Sequence, residues 1–490
     1  MNYGADEVQK RLRHELENYL IAQYFAKTPV LLQAIKDRLD QKGILYCEPY
    51  IEAAPAYETV SNGIAKADLP NWLKDFFQLL TERHLGVYPA PFRHQIQALE
   101  AAVHGHDLFV ATGTGSGKTE CFLWPLIAKL VTEARERPES WQRRGIRTII
   151  LYPMNALVSD QVSRLRRLIG DPTHGFVQVL RKTAGNVRRP QFGMYTGRTP
   201  YPGEKTDRQQ DVALARTLEA FLPQENDLEF YQKMLAEGKI PAKEDLAAFL
   251  DQVRQDKHVS SAEDAELITR FEMQQVTPDI LITNYSMLEY MLLRPIEAHI
   301  WEETKSWLEA RKENRLLFII DEAHMYRGSS GGEVALLIRR LFHKLGIARD
   351  KVQFILTTAS MPSTSEEDKS AVKEFATHLT NAEDFSQFNY LTGVRENLAG
   401  KGNITIPDKA FQQAVNQVSA FTQDVEIQIS ALRKFFTAAI PEAAEHFKNL
   451  SAAQSWLYAH LLDFQYNGTL VKTITRDFYN ESGGCCRCFQ

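Results

Sequence analysis

The 490-residue sequence is poor in cysteine: it has five, three of them crowded into the last six residues, Cys485-Cys486-Arg487-Cys488-Phe489-Gln490. So few and so clustered, they exclude a disulfide framework, and a reducing, cytoplasmic setting is the expectation. Three cysteines are also one short of a four-ligand zinc site. No run of about 18 apolar residues occurs, so no membrane-spanning helix and no membrane partner is expected. The opening M-N-Y-G-A-D-E-V-Q-K lacks the apolar core of a secretory signal. Charge of one sign is scarce as well. The net charge is -5, so any nucleic-acid surface has to be a local patch. What remains, 44% hydrophobic and 24% charged, is ordinary globular composition with room for roughly two to four domains.

The strongest local pattern is F-V-A-T-G-T-G-S-G-K-T-E, Phe109 to Glu120. An apolar run, Leu108 to Ala111, predicts a buried strand, and Lys118 to Val131 predicts a helix. Between them, Gly113, Gly115 and Gly117 let the backbone approach phosphates and aim N–H groups at them, and the helix N-terminus adds partial positive charge. Lys118 would reach the terminal phosphates and Thr119 would hold Mg²⁺ through its hydroxyl. Thr112 stands where the strict pattern has glycine. Just upstream, Pro91 to Ala98 contains Gln95, whose amide can donate to and accept from an adenine edge at once.

Further apolar runs predict further strands: Arg147 to Tyr152, Asp279 to Thr283, Leu316 to Ile320 and Val352 to Leu356. The run at 316–320 ends in Asp321-Glu322-Ala323-His324. A carboxylate pair at the exit of a buried parallel strand is where a doubly wound sheet presents ligands. Asp321 would bind the Mg²⁺, and Glu322 would orient and deprotonate the attacking water. From Arg143 to Arg198 there are 11 Lys/Arg against two acids, which reads as a phosphate-backbone track reinforced by the Tyr195–Thr199 turn. Pro200 to Val276, with 9 Lys/Arg and 16 Asp/Glu, reads as an acidic helical insertion away from that track. A change at Lys243 in it should leave nucleic-acid binding alone. Residues 1–85 look helical, with Val8, Leu12, Leu16, Leu20 and Tyr24 on one face, and carry no obvious chemistry.

In order, Gln95, T-G-T-G-S-G-K-T, Y-P-M-N-A-L, Y-T-G-R-T, T-P-D-I-L-I-T-N, D-E-A-H and T-A-S resemble the first motor lobe of superfamily 2 helicases of the DEAD/DEAH type, over roughly 88–362. The resemblance implies that Gln95 reads adenine. Thr112, Gly113, Thr114, Gly115, Ser116, Gly117, Lys118 and Thr119 cradle the triphosphate of ATP. Asp321 is the metal ligand and Glu322 the base. Pro153, Asn155, Gly197, Arg198, Thr283 and Asn284 contact a nucleic-acid backbone, with DNA favoured over RNA. His324, Thr358 and Ser360 couple hydrolysis to movement. D-E-A-H-M-Y-R-G and Y-P-M-N-A-L resemble more narrowly the very large bacterial helicases that carry a C-terminal zinc-binding domain, some of them in phage-defence systems.

The implied fold is α/β: a RecA-like, doubly wound parallel sheet of the P-loop NTPase kind at 86–362, interrupted at 200–276. A helical accessory region precedes it at 1–85 and a helical region follows at 363–490, with helices over Ala410–Phe421, Val425–Ala439 and Ala453–Phe464. The Gln-x-x-Gly-Arg-x-x-Arg motif of a second lobe has no match after Ser360. The expectation is therefore an ATP-dependent helicase or translocase truncated before its second lobe, or one whose second lobe comes from a partner chain. The alternative is a nucleotide-gated binding module that does not translocate. A metabolic P-loop kinase fits neither the basic stretch nor the D-E-A-H order.

Overall fold

A computed structural model describes residues 5–25, 31–41, 44–45, 56–113, 115–201, 208–223, 228–255, 257–359 and 366–395, together with 430, 433 and 452. The chain divides into two compact units, one of Met1–Pro55 with Asn397–Gln490 and one of Ala56–Glu396. In the first, the described residues form the helix Ala5–Leu20, a π-helical turn Ile21–Phe25 and the helix Leu32–Leu39. The three helices expected after residue 400 lie outside the described residues, as does the cysteine-rich end. Among the described residues, no helix is long and apolar enough to cross a membrane.

The second unit is built on one sheet of eight strands. They are β1 (Asp107–Ala111), β2 (Thr148–Tyr152), β3 (Phe192–Tyr195), β4 (Glu266–Leu267), β5 (Ile280–Asn284), β6 (Leu316–Ile320), β7 (Val352–Thr358) and β8 (Phe388–Thr392). Their order is β4-β3-β5-β2-β6-β7-β1-β8, and every neighbouring pair is parallel. Both faces are covered, so the strands are apolar at consecutive positions and alternate residues feed two cores. Leu108, Val110, Ile150, Ile282, Ile319 and Ile355 pack with Leu99, Phe122, Trp124 and Leu165 on one side. Phe109, Ile149, Leu151, Phe318, Ile320 and Phe354 pack with Leu288, Trp301, Leu337 and Phe342 on the other. This is the RecA-like arrangement that the sequence implied.

Three expectations change, and one strand is added. The accessory region does not end at residue 85: the helix Asn71–Glu82 buries Leu73, Phe76, Phe77 and Leu80 in the first core, and the boundary falls at Pro55. Residues after 362 are not all helical. The helix Glu366–Thr380 is followed by β8, which joins the sheet beside β1 and places Phe388 and Tyr390 on the second core. The described residues of 200–276 form four helices but also β4, the edge strand. Its helices enclose a small core of their own around Tyr201, Leu218, Phe249 and Val253. Finally, β3 lies inside the presumed basic track. Its F-G-M-Y is short, and Gly193 is there because a Cβ would overlap the Met273 sulfur.

Candidate functional site

A parallel sheet collects the C-terminal ends of its strands at one edge, and that edge holds almost every residue singled out above. On the β6-β7-β1 half lies the glycine loop. The helix after it runs Glu120–Glu136, so Lys118 and Thr119 sit in the turn ahead of it, not in its first turn as expected. Gly115 and Gly117 have φ of 75° and 67°, the left-handed region that favours glycine. Thr112 has a job that glycine lacks: its buried hydroxyl accepts a 2.7 Å bond from the buried Ser116 hydroxyl and so closes the loop.

Gln95 braces this loop. Its amide oxygen accepts from the Phe92 N–H at 2.9 Å, and its Nε2 donates to the Gly117 carbonyl at 3.1 Å. Both ends of the amide are thus engaged within the protein, and the side chain is 2% exposed. Next to it His94 donates Nε2–H to the Ser116 carbonyl at 2.7 Å, and burial holds its pKa below the ordinary histidine value. Sequence reasoning passed over His94, although it directly precedes Gln95.

Facing the loop, Lys118 Nζ lies 3.3 Å from Glu322 Oε1. Glu322 has a left-handed backbone, φ 49° and ψ 48°, a strained conformation for a residue with a side chain. Its second oxygen lies 3.2 Å from His324 Nδ1, which is also 3.2 Å from the Thr358 hydroxyl. A continuous line of contacts therefore runs from Lys118 through Glu322 and His324 to Thr358 at the end of β7. Asp321 accepts from the Thr357 hydroxyl and, at 3.0 Å, from the Glu322 N–H. Burial pushes its carboxyl above the usual range, outweighing the Thr357 bond, and the Glu322 charge adds to the rise. A buried carboxylate and the hydroxyl of Thr119, at the N-cap of Glu120–Glu136, are the hard-oxygen donor chemistry that suits Mg²⁺. Among the described residues, no group of three or more His, Cys, Asp or Glu could hold a metal on its own. Thr114 and Ser360 lie outside the described residues.

On the β3-β5-β2 half, register sets Tyr152 beside Asn284 and Thr283 beside both Leu151 and Tyr195. Asn155, two residues past Pro153, accepts from the Asn284 amide at 2.7 Å, while Asn284 caps the helix Tyr285–Leu293 through Met287 N–H at 2.8 Å. Thr283 is fully buried and donates to the Tyr195 carbonyl at 2.7 Å, so its hydroxyl ties β5 to β3. Thr199 donates to the Met194 carbonyl and accepts from Thr196 N–H, closing a turn that leaves Gly197 and Arg198 exposed. Arg270 holds the same turn through the Thr196 carbonyl at 2.6 Å, a support that the sequence did not signal.

The basic stretch is not a continuous track. Arg147 is bonded to Glu133 and lies 3.2 Å from Asp279. Arg166 pairs with Glu266, Arg181 with Glu263, Arg188 with Asp279 and Arg164 with Glu120. Arg189 binds the Ile169 and Glu263 carbonyls. These cations meet acids from distant parts of the chain, which a local charge count cannot see. Lys243 is likewise buried, between Asp264 and Glu272.

Residues 92–200 and 242–368 match the family described as DEAD/DEAH box helicase. The chain is 37% identical to the Druantia protein DruE of Escherichia coli (strain UMEA 4076-1), an alignment covering 96% of this chain and 27% of that protein. It is 34% identical to DEAD-box ATP-dependent RNA helicase 41 of Arabidopsis thaliana over 20% of this chain and 22% of that protein. It thus spans about a quarter of the length of these curated relatives. Among solved structures, DUF1998 helicase MrfA bound to DNA and AMPPNP aligns with 18% identity and a TM-score of 0.37, covering 83% of this chain and 43% of that one.

Proposed function

The chain carries a DEAD/DEAH box helicase domain, and from that premise we propose that residues 56–396 are the ATP-binding lobe of an ATP-driven nucleic-acid helicase or translocase. The observation that carries the reading is the line Lys118–Glu322–His324–Thr358 at the C-terminal edge of the sheet.

Lys118 and Glu322 form an ion pair at 3.3 Å. A triphosphate in the loop competes for the Lys118 ammonium, which then leaves Glu322. Glu322 is thereby released as a base only when substrate is present, and its strained backbone fixes where the carboxylate points. Bound Mg²⁺, held by Asp321 and Thr119, would supply charge neutralisation on the transferring phosphate. His324 is in contact with both Glu322 and Thr358, so a shift of Glu322 reaches β7. On the other half of the edge, the exposed Gly197–Arg198 turn and the Asn155–Asn284 pair would contact a nucleic-acid backbone, with DNA the first substrate to test. No arginine finger is among the described residues gathered here. Such a finger is worth roughly 10³ to 10⁵ in rate. Fast turnover and unwinding then require a finger from outside these residues, such as a second lobe would supply.

The test compares Lys118→Ala with Glu322→Gln in a fluorescent-ATP titration alongside turnover. Lys118→Ala should lose binding. Glu322→Gln should keep binding and lose turnover by about 10²-fold or more. Equal loss of binding in both overturns the assignment, and turnover that nucleic acid does not stimulate favours a gated binding module over a motor.

A further inference from the structure

Tyr57 is remote in sequence from the phosphate loop yet touches it. Its backbone bridges Arg395, just past β8, and the next residue, Glu58, donates its N–H to the Val394 carbonyl at 2.9 Å. Thr59 bridges Phe92, ahead of the helix Arg93–Val103. The segment is a strap joining the exit of β8 to the entry of that helix. The Tyr57 ring, buried, lies between two glycines. A Cβ on Gly113 would stand 2.9 Å from the Tyr57 hydroxyl oxygen, and a Cβ on Gly393 would overlap Cε1 of the same ring and stand 2.8 Å from Cδ1. Neither glycine has the left-handed φ of Gly115 and Gly117, so what the position needs is space for the ring. The ring also meets Phe92 at 5.7 Å and His94 at 5.4 Å, both edge-on, and His94 is bonded to the loop at Ser116. Arg395 stacks its guanidinium 4.6 Å from the ring centroid and donates to the hydroxyl at 3.4 Å.

We infer that Tyr57 is a positioning residue for ATP binding. Wedged between Gly113 and Gly393, it sets where the start of the phosphate loop lies, and with Arg395 it ties that setting to the chain leaving β8. The inference rests on residues 112–119 being the phosphate cradle. Tyr57 reaches no phosphate itself and acts through Gly113. A cradle works by holding its N–H groups in place before the ligand arrives, and a displacement of about 1 Å costs up to 10²-fold. The strap packs beside β1 and β8, whereas Asp321 and Glu322 follow β6. Nucleotide affinity should therefore respond far more than the chemical step.

A double-mutant cycle on the whole chain tests this. Gly113→Ala puts a methyl against the Tyr57 hydroxyl and should weaken binding of a fluorescent ATP analogue by about tenfold, raising KM with little change in kcat. Tyr57→Phe removes the atom that the methyl meets. Gly113→Ala with Tyr57→Phe should recover affinity to within about twofold of Tyr57→Phe alone. Gly393→Ala, outside the cradle, meets ring carbons and, at 3.2 Å, the Thr112 methyl, so the Gly113 arm isolates the ring and this one supports it. It should weaken binding as Gly113→Ala does and gain nothing from Tyr57→Phe. Melting curves accompany each variant, and if Gly393→Ala unfolds the chain the Gly113 arm decides. A parent that binds no ATP overturns both the cradle and the wedge. A parent that binds, with Gly113→Ala harmless or not recovered by Tyr57→Phe, overturns the wedge alone.

Discussion

Two buried aspartates on opposite edges of one sheet show how differently the same side chain is used. Asp279, just ahead of β5, takes two N–H bonds from Arg188 at 2.7 and 2.8 Å and lies 3.2 Å from Arg147. Burial alone would raise its pKa, but the Arg188 and Arg147 charges reverse the effect and hold the carboxyl below its usual range. Asp321, just past β6, is also buried, but it is bonded to the Thr357 hydroxyl and the Glu322 N–H and not to a guanidinium, and burial moves its pKa up. The pairing with arginine, though not the direction of the pKa, extends to the neighbours, since burial still pushes the Asp107 carboxyl up beside Arg349. At the N-terminal edge, Asp107 pairs with Arg349, and Arg147 lies between the rings of Trp141 and Trp307, 5.2 and 4.8 Å from their centroids. At the C-terminal edge, Lys118, Glu322, His324 and Arg198 keep some exposure to solvent. A carboxylate supplied with its own cations anchors the fold. One left under desolvation is a place for a cation from outside.

The comparison breaks most sharply at Arg147. Arg147→Ala removes one partner from a buried network and leaves Glu133 and Asp279 short of charge, which should cost about 3–5 kcal/mol in urea unfolding. Lys243→Ala leaves Asp264 and Glu272 buried in the same way and should be close behind in stability, while a direct effect on nucleic-acid binding is still not expected. Arg198→Ala, exposed on its turn, should leave stability within about 0.5 kcal/mol and weaken nucleic-acid binding, reducing the log–log salt slope by about one. Asp321→Asn should go the other way from Arg147→Ala. It removes a charge that burial disfavours while keeping an oxygen for Thr357, so the chain gains stability on the order of 1 kcal/mol and loses Mg²⁺-dependent turnover. Equal destabilisation by Asp321→Asn and Arg147→Ala, measured as unfolding midpoints, would erase the distinction between the edges.

The C-terminal edge was legible in the sequence because its residues follow apolar runs at fixed offsets: Lys118 after β1, Asp321 and Glu322 after β6, Asn284 at the end of β5. Parallel strands then bring those offsets to one side without further information. Charge carried no such offset. Most arginines from 143 to 189 precede strands or lie on helices, where they meet acids brought from elsewhere, and only Arg198 of the stretch follows one. Short elements were also hidden. β3 carries a glycine demanded by Met273, and β8 sits in a stretch whose alternation spans five residues. Tyr57 gave no local signal, because its reason for being there is two glycines in distant segments.

The smallest expected effect is a pH dependence seated at His94, beside the phosphate loop. Its Nε2–H is bonded to the Ser116 carbonyl, and among the described residues its buried Nδ1 has no hydrogen-bond partner. The neutral ring fits this environment, since the ring nitrogen without a hydrogen needs no acceptor. Protonation would place an N–H there with nothing to receive it, on a ring stacked on Phe92 and edge-on to Tyr57. Burial accordingly lowers the His94 pKa, more than the Ser116 bond raises it. The sign follows from where the proton binds. Between the lowered folded value and the unfolded value of about 6.5, the unfolded chain holds the proton and the folded chain does not. Stability is thus complete above about pH 6.5 and falls as pH drops through that value, levelling once the folded ring also protonates. Each unit of separation is worth about 1.4 kcal/mol. Asp279, whose folded pKa is depressed, loses its contribution only at lower pH, as the medium passes through its own folded value, so the two losses separate along the pH axis. Unfolding midpoints of the parent should be flat from about pH 7 to 8 and decline below about 6.5. His94→Gln, with an amide able to donate to Ser116 and no proton to gain, should shrink that first decline to the share of His324, whose pKa burial also lowers, and keep the acid limb. A first decline undiminished in His94→Gln assigns it to another group.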